Sequence, residues 1–248
     1  ADTLRLVAEV LKSPSFPASE FAELKKSALA QVESQRSDPG AIASERLARY
    51  LSPHPKGHWL YVSTMDERVE ELHKTSLEDA RKCHADLVGA SGAEFAAVGD
   101  FDPQALMKLV EELFGDWKNP APYVRIPDVY VDRPSTQEEI RTPDKANAVL
   151  RAGVNLPVRD DDPDFPALIL GNYLLGGSMA GRLPARIREK EGLSYSTYST
   201  FSASPLDKAA KFGVSAIFAP QNKSKVESAV REEIARVLRE GYTDAEVA

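Results

Sequence analysis

The stretch REKEGLSY, from Arg188 to Tyr195, places an arginine and a tyrosine seven residues apart across a charged tip that ends at Gly192. A guanidinium offers several N–H donors in a fixed geometry and a phenol can donate one more, so the pair could bind carbonyl oxygens or stabilise developing negative charge. A plainer alternative stays open at this point. Arg188 could be a solvated helix residue paired with Glu189 or Glu191, and Tyr195 could be a strand residue in the core.

Composition limits what these residues can belong to. The chain has 248 residues, of which 42% are hydrophobic and 28% are charged, which is typical of a globular protein with one large domain or two smaller ones. The 31 basic and 38 acidic residues give a net charge of −7 without a basic cluster, which disfavours a nucleic-acid partner. The single cysteine, Cys83, excludes an internal disulfide and a multi-cysteine zinc site.

The patterns at the two ends of the sequence lead us to expect a longer parent protein. No apolar run approaches the roughly 20 residues that a membrane-spanning helix needs, so we predict no membrane insertion. Residues 1–12 have the pattern of a helix already under way, and Thr243 with Glu246 has the pattern of a capping box at the start of another helix. We therefore interpret the sequence as a piece of a longer protein.

Apolar spacing predicts helices in the first half of the chain. A long amphipathic helix follows Pro17, a second begins at Pro39, and two shorter ones are predicted at about 66–73 and 76–88. An apolar strand is predicted at 93–99, followed by a helix that begins at Asp102 as its N-cap and ends near Phe114.

The second half begins with a proline-rich segment, which we interpret as a linker over residues 119–137. Beyond it, strands are predicted for NAVLRAGVNLP, LSYSTYSTFSA and KFGVSAIFA, with helices between and after them. Strands and helices mix without regular alternation. The predicted fold class is therefore α+β, a sandwich with a mostly antiparallel sheet and helices on one face.

The run LLGGSMAGRLPARIREKEGLSYSTYS, residues 174–199, resembles the second-domain signature of the pitrilysin/insulinase family of zinc metallopeptidases, the inverzincins. Residues 54–117 resemble the closing half of the preceding domain in that family. The resemblance implies metallohydrolase-like α/β sandwich repeats, with 1–118 as the C-terminal part of one repeat and 138–248 as the N-terminal part of the next. It is closest to the inactive C-terminal half of the long bacterial members that carry four such domains in one chain.

The family's zinc ligands can be sought residue by residue. Inverzincins use His-x-x-Glu-His on a helix and a distant glutamate, but none of the four histidines here fits that motif. His54 and His58 lie four apart among prolines that exclude a helix. The resemblance aligns Gln31 with the distant glutamate, and a neutral amide is a poor zinc ligand, while Glu33 points to another face of the helix. We predict no cofactor in this chain and zinc in a separate catalytic half.

The resemblance also implies a role for the opening pair. Arg188 and Tyr195 match the arginine and tyrosine with which the family holds a peptide substrate opposite the zinc. The implied partners are a catalytic peptidase half, on the same or another polypeptide, and an extended peptide substrate, and relatives of this kind suggest a periplasmic location. Two alternatives stay open, namely a structural scaffold like the processing-peptidase-like subunits of respiratory complexes, and a module that binds peptides at a sheet edge.

Overall fold

The computed structural model describes residues 1–247, which form two compact units. Unit 1 comprises Ala1–Val32 and Asp66–Arg125, and unit 2 comprises Glu33–Met65 and the chain from Ile126 onward. These units are defined by contacts within the chain, and the repeat boundaries expected from the sequence stay a prediction.

Helices dominate the first 114 residues, and their caps follow the sequence. Ser76 and Asp79 form a reciprocal capping box, and the Asp102 side chain caps the helix whose first residue is Pro103. The predicted helices are confirmed, as α1 (Asp2–Lys12), α2 (Ala18–Gln35), α3 (Pro39–Leu51), α4 (Met65–Lys74), α5 (Leu77–Leu87) and α6 (Pro103–Phe114).

Ion pairs join the first and last helices of unit 1. Arg5 lies 2.8 Å from the carboxylate of Glu112, and Lys12 lies 2.9 Å from that of Asp116. Most of these side chains are half exposed, and exposed pairs of this kind contribute about 0–1 kcal/mol each. The pairs set the register of α1 on α6 but supply little of the stability of unit 1.

Unit 1 has almost no buried apolar core of its own. Of its residues, all of which the structure describes, only Ala8 and Val32 are buried. The strand predicted at 93–99 is wrong for this chain, because the segment has no regular secondary structure and its Phe95 and Val98 side chains are exposed. A strand needs a hydrogen-bonded neighbour, and none pairs with it among residues 1–247.

Unit 2 is built around a three-stranded antiparallel sheet in the order β1-β3-β2, with β1 Ala148–Leu156, β2 Ser194–Ala203 and β3 Ala210–Phe218. This confirms the predicted α+β class and its antiparallel sheet. Side chains along β3 alternate between the core and the opposite face, as the sequence pattern predicts. The core-facing set is Phe212, Val214, Ala216 and Phe218.

Helices of unit 2 pack against this sheet and complete the core. Leu183, Ile187 and Val226 are fully buried, and each contributes about 1.5–3 kcal/mol through removal of apolar surface from water. No helix within residues 1–247 is long and apolar enough to cross a membrane. The elements are α7 (Phe165–Asn172) with a π-helical turn Tyr173–Gly177, α8 (Arg182–Pro184) with a π-helical turn Ala185–Lys190, a 3-10 turn Pro220–Asn222, α9 (Lys223–Glu240) and α10 (Asp244–Val247).

Candidate functional site

The tip that carries Arg188 is anchored on both sides by buried residues. Ile187 and Leu193 both lie in the core of unit 2, and the Leu193 N–H donates to the Ile187 carbonyl at 2.8 Å. Gly192 has φ +60°, in the left-handed region that favours glycine. This closed turn carries the chain from the π-helical turn into β2 and brings Arg188 near Tyr195.

A β-bulge turns Tyr195 outward. Ser194 and Ser196 pair with successive residues of β3, which leaves Tyr195 between them without a partner on that strand. Ser194 is buried, its hydroxyl lies 2.7 Å from the Ile217 carbonyl, and it accepts from Thr197. Tyr195 is therefore 85% exposed, which contradicts the alternative that placed it in the core.

Arg188 and Tyr195 are in direct contact. The Arg188 Cζ lies 5.4 Å from the centroid of the Tyr195 ring, within the range of a cation–π interaction. Arg188 also pairs with Glu189 at 3.2 Å, as the plainer alternative expected, and its Nη1 lies 3.9 Å from the sulfur of Met179. The structure thus brings the two predicted residues together and adds Met179, a residue that no sequence pattern had indicated.

Arg186 fixes the π-helical turn from which Arg188 projects. Its guanidinium contacts Glu191 at 2.8 Å, Glu232 at 2.6 Å and Glu233 at 3.1 Å, and the last two lie on α9. Hydrogen bonds to Glu191 and Glu232 raise the pKa of Arg186. The sequence offered no signal for the two contacts with α9, because Glu232 and Glu233 lie more than forty positions from Arg186.

Two glycines, Gly176 and Gly177, end the preceding helix. The π-helical turn stops at Gly177, and a Cβ built on Gly176 would lie 2.8 Å from the Ser199 backbone nitrogen. The missing side chain therefore allows the helix to approach β2 closely. Met179 follows this stop, is 63% exposed and reaches Arg188.

An ion pair between buried Arg182 and partly exposed Glu246 links α10 to α8. Arg182 contacts both carboxylate oxygens of Glu246, at 2.6 and 2.7 Å, and its Cζ lies 4.7 Å from the centroid of the Tyr242 ring. The Thr243 N–H also donates to Glu246, at 2.8 Å, which confirms the predicted capping partnership of these two residues. Hydrogen bonds from Arg182 and then Thr243 hold the pKa of Glu246 well below its usual range.

The residues considered as zinc ligands do not fit a zinc site. Gln31 is an exposed neutral amide on α2, and Glu33 pairs with Arg36 at 2.9 Å. The rings of His54 and His58 stack with their centroids 4.3 Å apart. No group of three or more potential ligands could hold a metal within the described part of the chain.

Comparison with known families identifies the family that this fold belongs to. The model of the peptidase M16 inactive domain matches residues 74–248, and the chain belongs to that family. The expected resemblance to inverzincins is thereby confirmed at the level of the family.

Individual curated relatives are similar to this chain in sequence. An uncharacterized zinc protease of Mycobacterium leprae is 26% identical over 97% of this chain and 53% of its own length. The non-peptidase homolog YmxG of Helicobacter pylori is 24% identical over 78% of this chain and 44% of its own length. The chain thus spans about half the length of the curated relatives that it matches.

Solved structures share the fold. The crystal structure of a peptidase M16 inactive domain from Pseudomonas fluorescens matches with a TM-score of 0.83 at 27% identity, covering 98% of this chain and 57% of that one. Pitrilysin matches with a TM-score of 0.56 at 15% identity, over 97% of this chain and 26% of its own, which shows a shared fold.

Proposed function

We propose that this chain is the non-catalytic, peptidase-like half of a zinc metalloendopeptidase. In this proposal it forms part of the wall of a peptide-binding chamber, and Arg188 and Tyr195 hold an extended peptide opposite a zinc site carried by another half. The observation that carries the proposal is the contact between these two side chains on a turn closed by a hydrogen bond between Leu193 and Ile187, with Tyr195 85% exposed.

The two side chains would act on different atoms of the substrate. The Arg188 guanidinium can donate to main-chain carbonyl oxygens of the peptide, which binds and orients it. The Tyr195 hydroxyl can donate to an oxygen on which negative charge develops during hydrolysis. Zinc chemistry would belong to the other half, and this chain would supply positioning and charge stabilisation.

The test is a reconstitution. The chain is mixed with the catalytic half and cleavage of an unstructured peptide is measured for wild type, Arg188→Ala and Tyr195→Phe. We expect Tyr195→Phe to lower kcat by about 10²-fold, the usual effect of removing one donor to a developing charge. Arg188→Ala should lower kcat/KM by roughly tenfold or more, with part of the loss in KM.

Matched controls separate a specific clamp from general damage. Tyr123→Phe removes a hydroxyl from an 81% exposed tyrosine elsewhere on the chain, and Arg239→Ala removes an arginine exposed on α9. Both controls should retain wild-type turnover. Unchanged turnover in Arg188→Ala and Tyr195→Phe would overturn the clamp, and chelator-sensitive cleavage by this chain alone would overturn its assignment as a non-catalytic half.

A second candidate is a scaffold without proteolysis. The relative from Helicobacter pylori carries the name non-peptidase homolog, which favours a family branch that keeps the fold and loses the activity. A scaffold would form a stable complex with its partner half and show no dependence of any peptide cleavage on Arg188 or Tyr195. The same reconstitution therefore distinguishes the two candidates.

A further inference from the structure

A cleft lies beside α3 on the face of the sheet that is turned away from the core of unit 2. Its volume is about 410 Å³, which is within the range of small-ligand sites, and every residue that lines it belongs to unit 2. Leu60 and Val62 form part of its apolar wall, and α3 supplies the rest, namely Leu47, Ala48 and Leu51. The cleft therefore offers a hydrocarbon group a place out of water.

Two cationic side chains line this cleft from the strands. Arg151 of β1 pairs in register with Ser215 of β3, and Lys211 lies on the same face, since it alternates with the core-facing Phe212. No carboxylate forms an ion pair with either cation in the described part of the chain. The two positive charges are therefore available to a ligand.

Only neutral groups hold the guanidinium of Arg151. Its Nε donates to the Ser44 hydroxyl at 3.1 Å, and its Nη1 donates to the Leu150 carbonyl at 3.3 Å and to the Ser215 hydroxyl. Ser215 is buried, so this anchor lies in the protein interior. The Arg151 Nη2 is not buried and has no hydrogen-bond partner within residues 1–247. Arg151 thus keeps unused donors at a place fixed by three acceptors.

The positive charge of the cleft is concentrated at the Arg151 end. Asp128 lines the cleft together with Lys211, and these opposite charges offset one another. Lys211 is four residues along β3 from the partner of Arg151, which separates the backbones of the two cations by about 13 Å. Ser44, which binds Arg151, is one helical turn from Leu47, so the unpaired charge and the apolar wall are adjacent.

We propose that this cleft binds an aliphatic carboxylate, with the carboxylate on the Arg151 guanidinium and the hydrocarbon group against Leu47, Leu51 and Leu60. A guanidinium matches a carboxylate in both charge and geometry. A phosphate group is typically bound by several backbone N–H groups or a cluster of cations, whereas this end of the cleft supplies one guanidinium beside an apolar wall. Two sources share the proposed chemistry, namely the C-terminal residue of a peptide that ends in leucine and a free short-chain acid.

The test is a titration of the chain with hexanoate, and with hexanamide as its uncharged match, followed by NMR of isotope-labelled leucine methyl groups. We expect hexanoate to shift the methyl signals of Leu47, Leu51 and Leu60 with a Kd on the order of 1 mM, as is usual for so small a ligand. Hexanamide should bind at least about tenfold more weakly, because it cannot form the charged pair. The proposal is overturned if these methyl signals do not move up to about 20 mM hexanoate, or if the two ligands bind equally.

Arg151→Met removes the charge and keeps most of the side-chain length, so it should weaken hexanoate binding by at least about tenfold. Arg231→Met is the matched control, because Arg231 is exposed on α9 and lies outside the cleft. It should bind hexanoate as wild type does, and both variants should keep the wild-type circular dichroism spectrum. Unchanged binding by a folded Arg151→Met variant would also overturn the proposal. The comparison of hexanoate with hexanamide uses the wild-type chain, so it decides the matter even if Arg151→Met does not fold.

The tripeptide Ala-Ala-Leu, with a free or an amidated C-terminus, distinguishes the two sources. Binding of the free form at least as tight as that of hexanoate would identify peptide C-termini as ligands, and binding of hexanoate alone would identify free acids. Either result supports the site, whereas equal binding of the amidated and free tripeptides would contradict it. This inference does not depend on the peptide clamp, because the titration needs neither a catalytic half nor any cleavage.

Discussion

The guanidinium of Arg188 lies over the ring of Tyr195, with its Cζ 5.4 Å from the ring centroid, although the backbone between them reverses through a tight turn. The contact depends on two local features of the backbone, a closed turn and a β-bulge. The turn is closed between Ile187 and Leu193, and the bulge after Ser194 exposes the tyrosine. A cation and a phenol held in this way can both donate to the same extended peptide.

Glu189 competes with any substrate for Arg188. Its carboxylate lies 3.2 Å from the Arg188 Nε, and both side chains are partly exposed. Removing a competing acceptor of this kind should release up to about 1 kcal/mol. We expect Glu189→Gln to raise kcat/KM in the reconstituted enzyme about two- to fivefold. A loss as large as that of Arg188→Ala would instead mean that Glu189 is needed to position the guanidinium.

Ser194 should stabilise the bulge. Replacing it with alanine removes a buried hydroxyl that lies 2.7 Å from the Ile217 carbonyl. An unsatisfied buried polar group costs about 1–3 kcal/mol, and urea unfolding should show a decrease of that size in the free energy of unfolding. Ser202→Ala, at an exposed position of the same strand, is the control and should change the free energy by less than about 0.5 kcal/mol. Equal effects of the two substitutions would contradict a role for Ser194 in the bulge.

Leu183 tests the packing beneath the site. It is fully buried, and Leu183→Ala should lower the free energy of unfolding by about 2–5 kcal/mol, since it removes apolar contacts and leaves a cavity. Leu206 is 60% exposed in the same unit, so Leu206→Ala should cost less than about 1 kcal/mol. Thermal unfolding followed by circular dichroism measures both. A cost for Leu183→Ala close to that of Leu206→Ala would place the core elsewhere.

The pair of Arg182 and Glu246 should make stability depend on acid. Because the pKa of Glu246 is lowered in the folded protein, its contribution is fully present above the ordinary glutamate pKa of about 4.3. It is lost as the pH falls below that value, since the unfolded chain then binds a proton that the folded chain resists.

We therefore expect Glu246→Gln to be less stable than wild type at pH 7, and we expect the difference to shrink steadily as the pH falls from about 5 to about 3, when unfolding by urea is compared across this range. Glu94→Gln, at an exposed position, should follow the wild-type curve. A constant difference between Glu246→Gln and wild type at every pH would show that the ion pair does not titrate in this way.

The sequence predicted those features that depend on local pattern. Alternation along β3 identified its core-facing side, and Asp102 before Pro103 located the start of α6. Features that depend on distant partners could not be predicted. The ion pairs of Arg186 reach across to α9, and the bulge at Tyr195 is defined only by its pairing with β3.

The strand predicted at 93–99 also depended on a distant partner. Its residues favour a strand, but strand formation needs a neighbour that this chain does not offer within the described residues. Composition alone could not reveal that the neighbour is missing, so the prediction of a strand was wrong for the chain by itself.

The most direct test of the proposed clamp asks whether the peptide touches Tyr195 during turnover. A photoreactive benzoylphenylalanine is placed at position 195, or at the exposed control position 123, and the reconstituted enzyme is irradiated with a labelled unstructured peptide. We predict that the peptide cross-links at position 195, that an excess of unlabelled peptide competes with it, and that position 123 gives no cross-link. An absence of cross-linking at position 195, or equal cross-linking at both positions, would contradict the clamp.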